Sequence, residues 1–435
     1  MMTEPISIDL PGGLEVEFPK LAPVRQIFNT SKVTDIPDQV AQEFGKFADT
    51  DLKDKSVALC VGSRGIKEQF AVLVATIAQL KAAGAKPYMV PAMGSHGGGT
   101  AEGQMELLNG YGYSEESLGV PFKSSMEVVE LGRLPDGMPV YCDKHAYEAD
   151  FYIPFNRIKP HTDFKAKHES GLIKMLAIGI SKHEGAATFH TRGFENFHTL
   201  IPAAAEVFLA KTRVLFGVAM VENAHEDLSH LEFVAPADFF KRDAAMQEMA
   251  KANLPRLPLP SLDILVLHEM GKNISGSGID PNVIGRPGSR LPGFDAPPIE
   301  CIVTLNITPQ SHGNATGLGL SDITTHRLVN QVNWSATYVN CATAGNMPAA
   351  SLPMVTEHDL QALQISMRCC RWNTPADVRM VVAHNTLELE LLWVSEALLP
   401  EVAAHDGLEQ IGNAAPLQFN ADNLLTTGFP DRTNH

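Results

Sequence analysis

The sequence predicts an α/β protein of two domains with mainly parallel sheets, and three observations lead to that fold class. Short apolar, β-branched runs alternate with stretches of helical periodicity in both halves of the 435-residue chain, which is the pattern of α/β sheets. The length alone allows two or three domains at ~150 residues each. The proline-rich stretch 253–261 (NLPRLPLPS) has the composition of a linker. We therefore expect an N-terminal domain over residues 1–255, a C-terminal α/β domain over 256–435 and a substrate cleft between them.

A strand, a turn and a helix are predicted in succession from residue 56 onward. Ser56 to Gly62 (SVALCVG) has the apolar, β-branched pattern of a buried strand and ends in glycine. Gly84 stands where the C-terminal cap of the following helix belongs. Between these points apolar side chains recur at helical spacing, namely Phe70, Leu73, Val74, Ile77 and Leu80.

A second strand follows at Lys86 to Pro91 (KPYMVP), then the glycine-rich loop AMGSHGGGT and a helix capped by Thr100. A strand–helix–strand unit has a right-handed crossover and a parallel strand pair. Parallel strands carry their functional loops at their carboxyl ends. We therefore expect the turn at Ser63 and Arg64 to lie beside the loop of His96.

Further strand-like runs continue this pattern through the chain. Residues 149–155 (ADFYIPF) lead into the polar loop NRIKPHTDF, and residues 214–221 (VLFGVAMV) form the next run. Beyond the linker, LDILVLHEMG, ECIVTLNIT and DVRMVVAHN alternate with helical stretches. The second half is therefore also predicted to be α/β.

Composition and charge exclude several classes of function. Fifty acidic against 34 basic residues give a net charge of −16, and a field of that sign repels phosphate backbones and anionic lipid, so we expect neither nucleic acid nor membrane as a partner. Six scattered cysteines do not make a secreted disulfide framework. A signal-peptide pattern and an apolar run of ~18 residues are both absent from the sequence. We therefore expect a soluble protein of the reducing cytoplasm.

His96 is the first candidate for chemistry, because it follows a predicted strand within GSHGGGT. Gly97 and Gly98 allow the backbone to approach a ligand, and the helix beginning at Thr100 offers free N–H groups to an anion. The alternative is a structural loop histidine. His161 in KPHTDF is the second candidate, with a solvated polar loop as the alternative.

Lys174 lies in the apolar stretch SGLIKMLAIGI, which contains no acidic residue. Burying its ammonium group costs several kcal/mol unless the lysine is paired, neutral or covalently modified, so it is a candidate nucleophile or attachment site. The alternative is a lysine that extends from a helix to solvent. His183 and His190 follow at a spacing of seven residues instead of the four of a zinc-protease helix, but one of them could still be a single metal ligand.

The usual motifs of nucleotide-binding proteins and hydrolases do not occur. The sequence has no GxxxxGK[ST] phosphate loop, no GxGxxG at a strand–helix junction and no GxSxG nucleophile elbow. What remains is the ordered series Arg64, His96, His161, Lys174 and His190. With the loop MGSHGGGTAEGQ and the block KPHTDF followed by SGLIKMLAIGI, this series resembles the nickel-dependent lactate racemase family. The resemblance covers roughly residues 10–260, and more loosely the remainder.

The resemblance implies a cofactor, the nickel-pincer nucleotide, whose pyridinium ring carries two thiocarboxyl arms. By the same resemblance Lys174 would hold this cofactor covalently through a thioamide, and His190 would bind the nickel. Ser63, Gly97 and Gly98 are expected to contact the cofactor as well. The enzymes that synthesise the cofactor are then expected partners.

The resemblance also implies a reaction, the racemisation or epimerisation of a 2-hydroxy acid. His96 and His161 would be the two acid/base histidines, and Arg64 would bind the substrate carboxylate. Direct removal of the C2 proton would need a very strong base, because the carboxylate is already negative. Transfer of a hydride to the cofactor avoids that carbanion. The histidine on each side of the substrate then acts as the acid/base group for one of the two enantiomers.

Several positions depart from the family pattern. Val61 occupies the place of a usual acidic residue, and KAKHES lengthens the segment after His161, so that His168 could compete for the catalytic assignment. HEMGKNISGSGIDPNVIGR is unlike the corresponding lactate racemase stretch. We expect Lys272 on this loop to contact the substrate and Trp334 to wall the pocket, with a core tryptophan as the alternative. Two further functions remain open, a lyase-type reaction on a hydroxy or sugar acid and non-catalytic binding of a cofactor or carboxylate.

Overall fold

The computed structural model describes residues 6, 8, 10–62, 66–371 and 374–428. It divides the chain into an N-terminal unit, Asn29–Leu254, and a C-terminal unit made of Met1–Phe28 and Pro255–His435. The change of unit at residue 254 falls in the proline-rich stretch. The division at residue 255 does not account for the start of the chain, because a strand at Leu21–Gln26 pairs with strands near the C-terminus. Short-range sequence patterns carry no signal for such a distant pairing.

The strands lie in chain order at β1 (Leu21–Gln26), β2 (Ser56–Val61), β3 (Lys86–Pro91), β4 (Val128–Arg133), β5 (Pro139–Asp143), β6 (Phe151–Arg157), β7 (Gly217–Glu222), β8 (Leu228–Val234), β9 (Leu262–Leu267), β10 (Ile299–Thr304), β11 (Ile323–Thr325), β12 (Met354–Thr356), β13 (Met380–Ala383), β14 (Leu391–Ser395) and β15 (Leu408–Gln410).

The α-helices lie at α1 (Ile36–Gly45), α2 (Gln69–Ala82), α3 (Ala101–Gly110), α4 (Glu115–Leu118), α5 (Lys144–Glu148), α6 (Leu172–Lys174), α7 (Lys182–His190), α8 (Phe197–Lys211), α9 (Phe239–Asn253), α10 (Pro281–Ile284), α11 (His326–Asn330), α12 (Trp334–Thr343), α13 (Asp359–Cys369) and α14 (Leu399–Ala404). A π-helical turn, Met175–Gly179, continues α6 directly. Within the described ranges, every helix is too short or too polar to span a bilayer.

The main sheet of the N-terminal unit has the strand order β3-β2-β6-β7-β8. The pairs β2–β3, β2–β6 and β6–β7 are parallel, and only β8 at one edge runs antiparallel to its neighbour. Strands β4 and β5 form a separate antiparallel pair. The predicted strand–helix–strand unit and the parallel sheet are thus confirmed.

The first helical segment shows how burial selects among its apolar residues. Leu73, Ile77 and Leu80 are buried against the sheet, whereas Phe70 and Val74 are exposed on the opposite side of α2. Gly84 ends the segment with a positive φ of 80°, which glycine adopts without steric strain. The predicted C-terminal cap is therefore confirmed, and α2 itself begins at Gln69.

The sheet of the C-terminal unit has the order β12-β11-β10-β9-β13-β14-β1-β15. The strands from β12 to β13 are parallel neighbours. The strands β14, β1 and β15 continue the sheet in antiparallel pairs. The predicted α/β class with mainly parallel sheets is confirmed for this half as well.

Both sheets reverse their winding direction at one pair of parallel strands. In the N-terminal unit the chain passes from β2 outward to β3 and later returns to β6 on the other side of β2. In the C-terminal unit it runs from β9 outward to β12 and returns to β13 on the other side of β9. The carboxyl ends of such strand pairs form a crevice where α/β proteins bind ligands. The loops after β2 and β6, and those after β9 and β13, are therefore the expected positions of ligand-binding sites.

Candidate functional site

The glycine-rich loop after β3 carries His96 on an unusual backbone. Gly97, Gly98 and Gly99 all have φ between 66° and 68°, a left-handed conformation that non-glycine residues rarely adopt. The loop then ends at Thr100, whose hydroxyl accepts the backbone N–H of Gly103 at 3.1 Å and caps α3. His96 is exposed, and its Nδ1 lies 3.0 Å from the carbonyl oxygen of Met93.

The loop glycines differ in what surrounds them. A Cβ at Gly97 would lie within 2.6–2.8 Å of the backbone of Gly103 and Gln104, and one at Gly99 would lie 2.9 Å from Nδ1 of His183. At Gly98 the space within 4 Å is open. Gly97 also lines an open groove of about 600 Å³ that runs along α3. Close packing therefore explains Gly97 and Gly99, whereas Gly98 presents its backbone to open space.

The buried side chain of Lys182 fixes the loop of His96 through a network of polar contacts. The Nζ of Lys182, a fully buried side chain, donates to the carbonyl of Pro91 at 2.6 Å and to Oε1 of Gln104 at 3.2 Å. It also forms a buried ion pair with Asp143 at 3.1 Å. The amide of Gln104 donates in turn to the carbonyls of Gly94 at 3.0 Å and His96 at 3.4 Å. This network ties the end of β3, the end of β5, α3 and α7 to the backbone of the histidine loop.

The loop after β6 is organised around a buried carboxylate. Oε2 of Glu169 accepts the backbone N–H of His161 at 2.7 Å and the ammonium of Lys165 at 3.2 Å, and Oε1 lies 3.3 Å from Nζ of Lys251. The ring of His161 is held by the backbone N–H of Asp163, which donates to its Nδ1 at 3.0 Å. In this arrangement Nδ1 of His161 is an acceptor, which puts the proton of the neutral ring on Nε2.

Lys174 is the last residue of α6 and immediately precedes the π-helical turn. Its neighbours Leu172, Ile173 and Met175 are buried, while Lys174 itself is partly exposed. A π turn places one extra residue in the helical repeat and changes the direction of the side chains around it, and such turns are frequent at functional sites. The loop of His96 packs against this turn, because the N–H of Gly94 donates to the carbonyl of Gly179 at 3.0 Å.

His190 ends α7 and packs in an aromatic cluster. Its ring lies 5.5 Å from that of Phe194 and 5.6 Å from that of Phe197. The ring of His161 lies 6.0 Å from Phe194 and 4.4 Å from Phe164. The two histidines therefore contact one shared apolar surface.

Burial and nearby positive charge keep both of these histidines neutral. Desolvation lowers the pKa of His161 well below its usual range, and the charges of Lys174, Lys165 and Lys159 lower it further. The pKa of His190 falls to about 4, first through burial and then through Lys174. Neutral imidazoles can accept a proton or bind a metal at neutral pH. These interactions bring His161, Lys174 and His190 into one electrostatic environment.

His96 lies on the neighbouring loop, which follows β3. Its loop packs closely on the first two turns of α7, since a Cβ at Gly94 would lie 3.2 Å from Cβ of Ala186 and one at Gly99 would lie 2.9 Å from Nδ1 of His183. His190 stands at the opposite end of that helix. Ser63 and Arg64 lie outside the described residues, so their predicted roles stay predictions.

His168, the alternative to His161, has a structural environment. Its Nδ1 lies 2.8 Å from Oδ1 of Asp243 on α9, and both side chains are buried. Oδ2 of Asp243 accepts the backbone N–H of Ile173 at 3.3 Å. The pair therefore fixes the backbone that leads to Lys174.

Lys272 and Trp334 belong to the C-terminal unit. Nζ of Lys272 donates to the carbonyl of Gly276 at 2.6 Å and to Oδ1 of Asn340 at 2.7 Å. Trp334 packs against the hydrophobic core, and its ring lies 5.5 Å from that of Tyr338 at an angle of 47°. Their contact with a substrate stays a prediction.

Sequence reasoning missed the residues that support the site. Lys182, Asp143 and Gln104 lie far apart in the sequence, and Glu169 is an ordinary acidic residue of a polar loop. The one local signal was the glycine pair Gly97 and Gly103, whose close approach brings α3 to the loop. Long-range polar contacts of this kind have no sequence periodicity.

Residues 62–199 match the family model of the lactate racemase N-terminal domain. Among solved structures, the chain is similar to the lactate racemase apoprotein from Thermoanaerobacterium thermosaccharolyticum, with a TM-score of 0.50 and 13% sequence identity over 88% of this chain and 96% of that chain. At this identity the likeness concerns the fold. No curated protein sequence matches the chain.

Proposed function

We propose that this chain, whose residues 62–199 match the lactate racemase N-terminal domain, racemises or epimerises a 2-hydroxy acid. The observation that carries the proposal is the cluster of His161, Lys174 and His190, in which burial and the lysine charge keep both imidazoles neutral. A base must be neutral before it can accept a proton, and a metal-binding imidazole must be neutral as well.

The residues of this cluster fit the nickel-pincer nucleotide. His190, with a pKa of about 4, offers a neutral ring nitrogen to a metal throughout the physiological pH range. Lys174 follows an apolar helical turn and supplies the amine for a covalent link. When bound, this cofactor supplies a reversible acceptor for the hydride on C2 of the substrate. The lysines around His161 give the same region a positive charge that favours an anionic ligand.

The two acid/base roles fall to His161 and His96. In the neutral ring of His161 the basic nitrogen is Nδ1, so the ring gives up the hydrogen bond from the N–H of Asp163 when it takes the hydroxyl proton of one substrate enantiomer. It returns this proton when the same enantiomer is formed. His96, on its glycine-rich loop, performs these steps for the other enantiomer. Arg64 binds the substrate carboxylate through two parallel charge-assisted hydrogen bonds.

Activity on a panel of substrates tests this proposal. The chain is co-expressed with the cofactor-biosynthesis enzymes, and 2-hydroxy acids from lactate and malate to aldonates are followed for change of optical activity. On an active substrate, His96→Ala and His161→Ala should each slow conversion in both directions by ~10²–10⁴-fold, the usual contribution of general acid–base catalysis. The control is His198→Ala, because His198 is exposed and its Nδ1 forms a local hydrogen bond with the carbonyl of Glu195 at 2.7 Å.

The double variant sharpens the result. Residues that act as one unit are not additive, so it should lose much less than the product of the two single effects. If either single variant keeps its rate on an active substrate, the histidine that it lacks has a structural role. A loaded protein that converts no member of the panel would overturn the proposal for 2-hydroxy acids of this range.

A further inference from the structure

A second group of polar side chains lies at the carboxyl ends of β9 and β13 in the C-terminal unit. Glu269 follows β9 by two residues, and His384 follows β13 directly. Beyond the strand ends, the N–H of His268 donates to Ala383 at 3.1 Å, and the N–H of Glu269 donates to the carbonyl of His384 at 3.0 Å. The sheet pairing therefore continues past both strands and holds these two residues at fixed neighbouring positions.

Three side chains converge there on one point. Nε2 of His384 lies 3.0 Å from Oε1 of Glu269 and 3.8 Å from Oε1 of Glu388. One nitrogen and two carboxylate oxygens thus lie within 4.8 Å of one another. His384 is buried, whereas Glu269 is partly exposed and Glu388 is exposed, so the group opens to solvent on one side.

We propose that Glu269, His384 and Glu388 bind a divalent transition-metal cation, with Zn²⁺ as the best match. Zinc takes imidazole nitrogen and carboxylate oxygen at 2.0–2.2 Å. A tetrahedral arrangement at those bond lengths separates its donor atoms by about 3.4 Å. The observed separations of 3.0 and 3.8 Å lie on either side of that value, so small side-chain rotations suffice.

The charge and the number of donors agree with this choice. A neutral imidazole and two carboxylates carry a charge of −2, which a divalent cation neutralises. Mg²⁺ and Ca²⁺ prefer six or more oxygen donors, whereas a mixed nitrogen and oxygen set suits zinc and its neighbours. Three protein donors leave a fourth position, which a water molecule or a carboxylate or hydroxyl oxygen of a small ligand can occupy.

The side chain of Asn385 contacts both carboxylates and orients them. Its Nδ2 donates to Oε1 of Glu388 at 3.2 Å and lies 3.4 Å from Oε1 of Glu269, and its Oδ1 accepts the N–H groups of Leu387 and Glu388 at 2.8 Å each. Because Asn385 is 1% exposed, it is held firmly in place. Partners of this kind orient metal ligands in known sites.

Zinc binding to the full chain tests the inference without any assay of racemase activity. The protein is produced without the cofactor-biosynthesis enzymes, treated with a chelator, and titrated with Zn²⁺ by calorimetry. We expect one Zn²⁺ to bind these residues with micromolar or tighter affinity. Glu388→Gln and His384→Gln should each weaken it at least tenfold, the effect of losing one of three ligands. Far-UV circular dichroism establishes that each variant is folded, and the exposed Glu388 makes its variant the safer of the two.

Two control variants separate this site from others. Glu409→Gln removes one exposed carboxylate from the same unit, and His190→Ala removes the ligand proposed for nickel, so both should retain the zinc affinity. Absence of zinc binding, binding that persists in folded Glu388→Gln and His384→Gln, or binding lost in His190→Ala would overturn the inference. Because none of these outcomes depends on turnover, the proposed racemase function stands or falls separately.

Discussion

Both sheets reverse their winding direction at one strand pair, but the side chains that follow these strands carry opposite charge in the two units. In the N-terminal unit the loop after β6 brings His161 among Lys159, Lys165 and Lys174, whose positive charges lower its pKa. In the C-terminal unit the loops after β9 and β13 bring Glu269 and Glu388 to one histidine. The first edge favours anions and neutral bases, whereas the second favours a cation.

This difference shows that topology decides where a site can form, while side chains decide what it binds. The buried supports differ in the same way. Glu169 and the pair of Lys182 and Asp143 fix the loops of the first edge through charge, whereas Asn385 fixes the second edge through neutral amide hydrogen bonds. We expect substitutions at the two edges to differ in kind and in size.

The largest expected effect is the complete loss of covalent cofactor in Lys174→Ala. Without the amine no thioamide can form, so intact-mass measurement after denaturation should find only the mass of the bare chain. The matched control is Lys272→Ala at the edge of the C-terminal sheet, which should retain the added mass. If the lysine-174 variant keeps that mass, the attachment site is another residue, and if Lys272→Ala loses it, the contrast between the two edges fails.

The next effect concerns the buried cation of the N-terminal unit. Lys182→Met leaves Asp143 as an uncompensated buried charge, and breaking such a pair costs about 3–5 kcal/mol. All three tryptophans lie after residue 255, so tryptophan fluorescence follows only the C-terminal unit, whereas circular dichroism follows both. We expect an early loss of circular dichroism in urea, ahead of the fluorescence change.

Lys144→Met is the control for this measurement. Lys144 pairs with Glu127 at the surface at 3.2 Å, and exposed pairs contribute about 0–1 kcal/mol. Similar midpoints for Lys182→Met and Lys144→Met would contradict a stabilising role of the buried pair.

Acid should weaken both units through their buried histidines. The pKa values of His190 and His268 are lowered to about 4, and that of His161 is also lowered, chiefly by burial. The unfolded chain, with histidines near 6.5, then binds more protons than the folded one. The free energy of unfolding should therefore fall as the pH drops from 6.5 toward 4, by up to about 1.4 kcal/mol per pH unit for each histidine.

Urea unfolding across this pH range checks the linkage. His190→Asn should flatten the pH dependence of the circular dichroism transition, and His268→Asn should flatten that of the tryptophan transition. Equal slopes in the parent chain and both variants would show that other groups govern the acid response.

The smallest effect is expected at the glycine-rich loop. Gly98→Ala places a Cβ in open space, so only the left-handed backbone opposes it, at about 1–2 kcal/mol. Gly97→Ala has the same backbone and would also contact the backbone of Gly103 and Gln104, and should lower the unfolding midpoint further. Equal midpoints for these two variants would mean that the contact with α3 relaxes freely.

Local patterns were sufficient to predict much of the N-terminal sheet. The apolar run at β2, the strand β3 at Lys86–Pro91 and the cap at Thr100 all occur as expected, because burial of alternate or successive side chains and helix capping are short-range effects. The order of residues in GSHGGGT, KPHTDF and SGLIKMLAIGI predicted a resemblance to lactate racemases, and residues 62–199 match the N-terminal domain of that family.

Only the tertiary structure decided how these pieces support one another. The strand β1 joins the C-terminal sheet across more than 360 residues of sequence, and Lys182 on α7 reaches Asp143 on β5 and Gln104 on α3. It also separated His168, paired with Asp243, from His161, which stands among lysines. Buried charges and distant strand pairs are stable only where several chain segments meet, so their stabilisation is a property of the packed chain and leaves no periodic trace in the sequence.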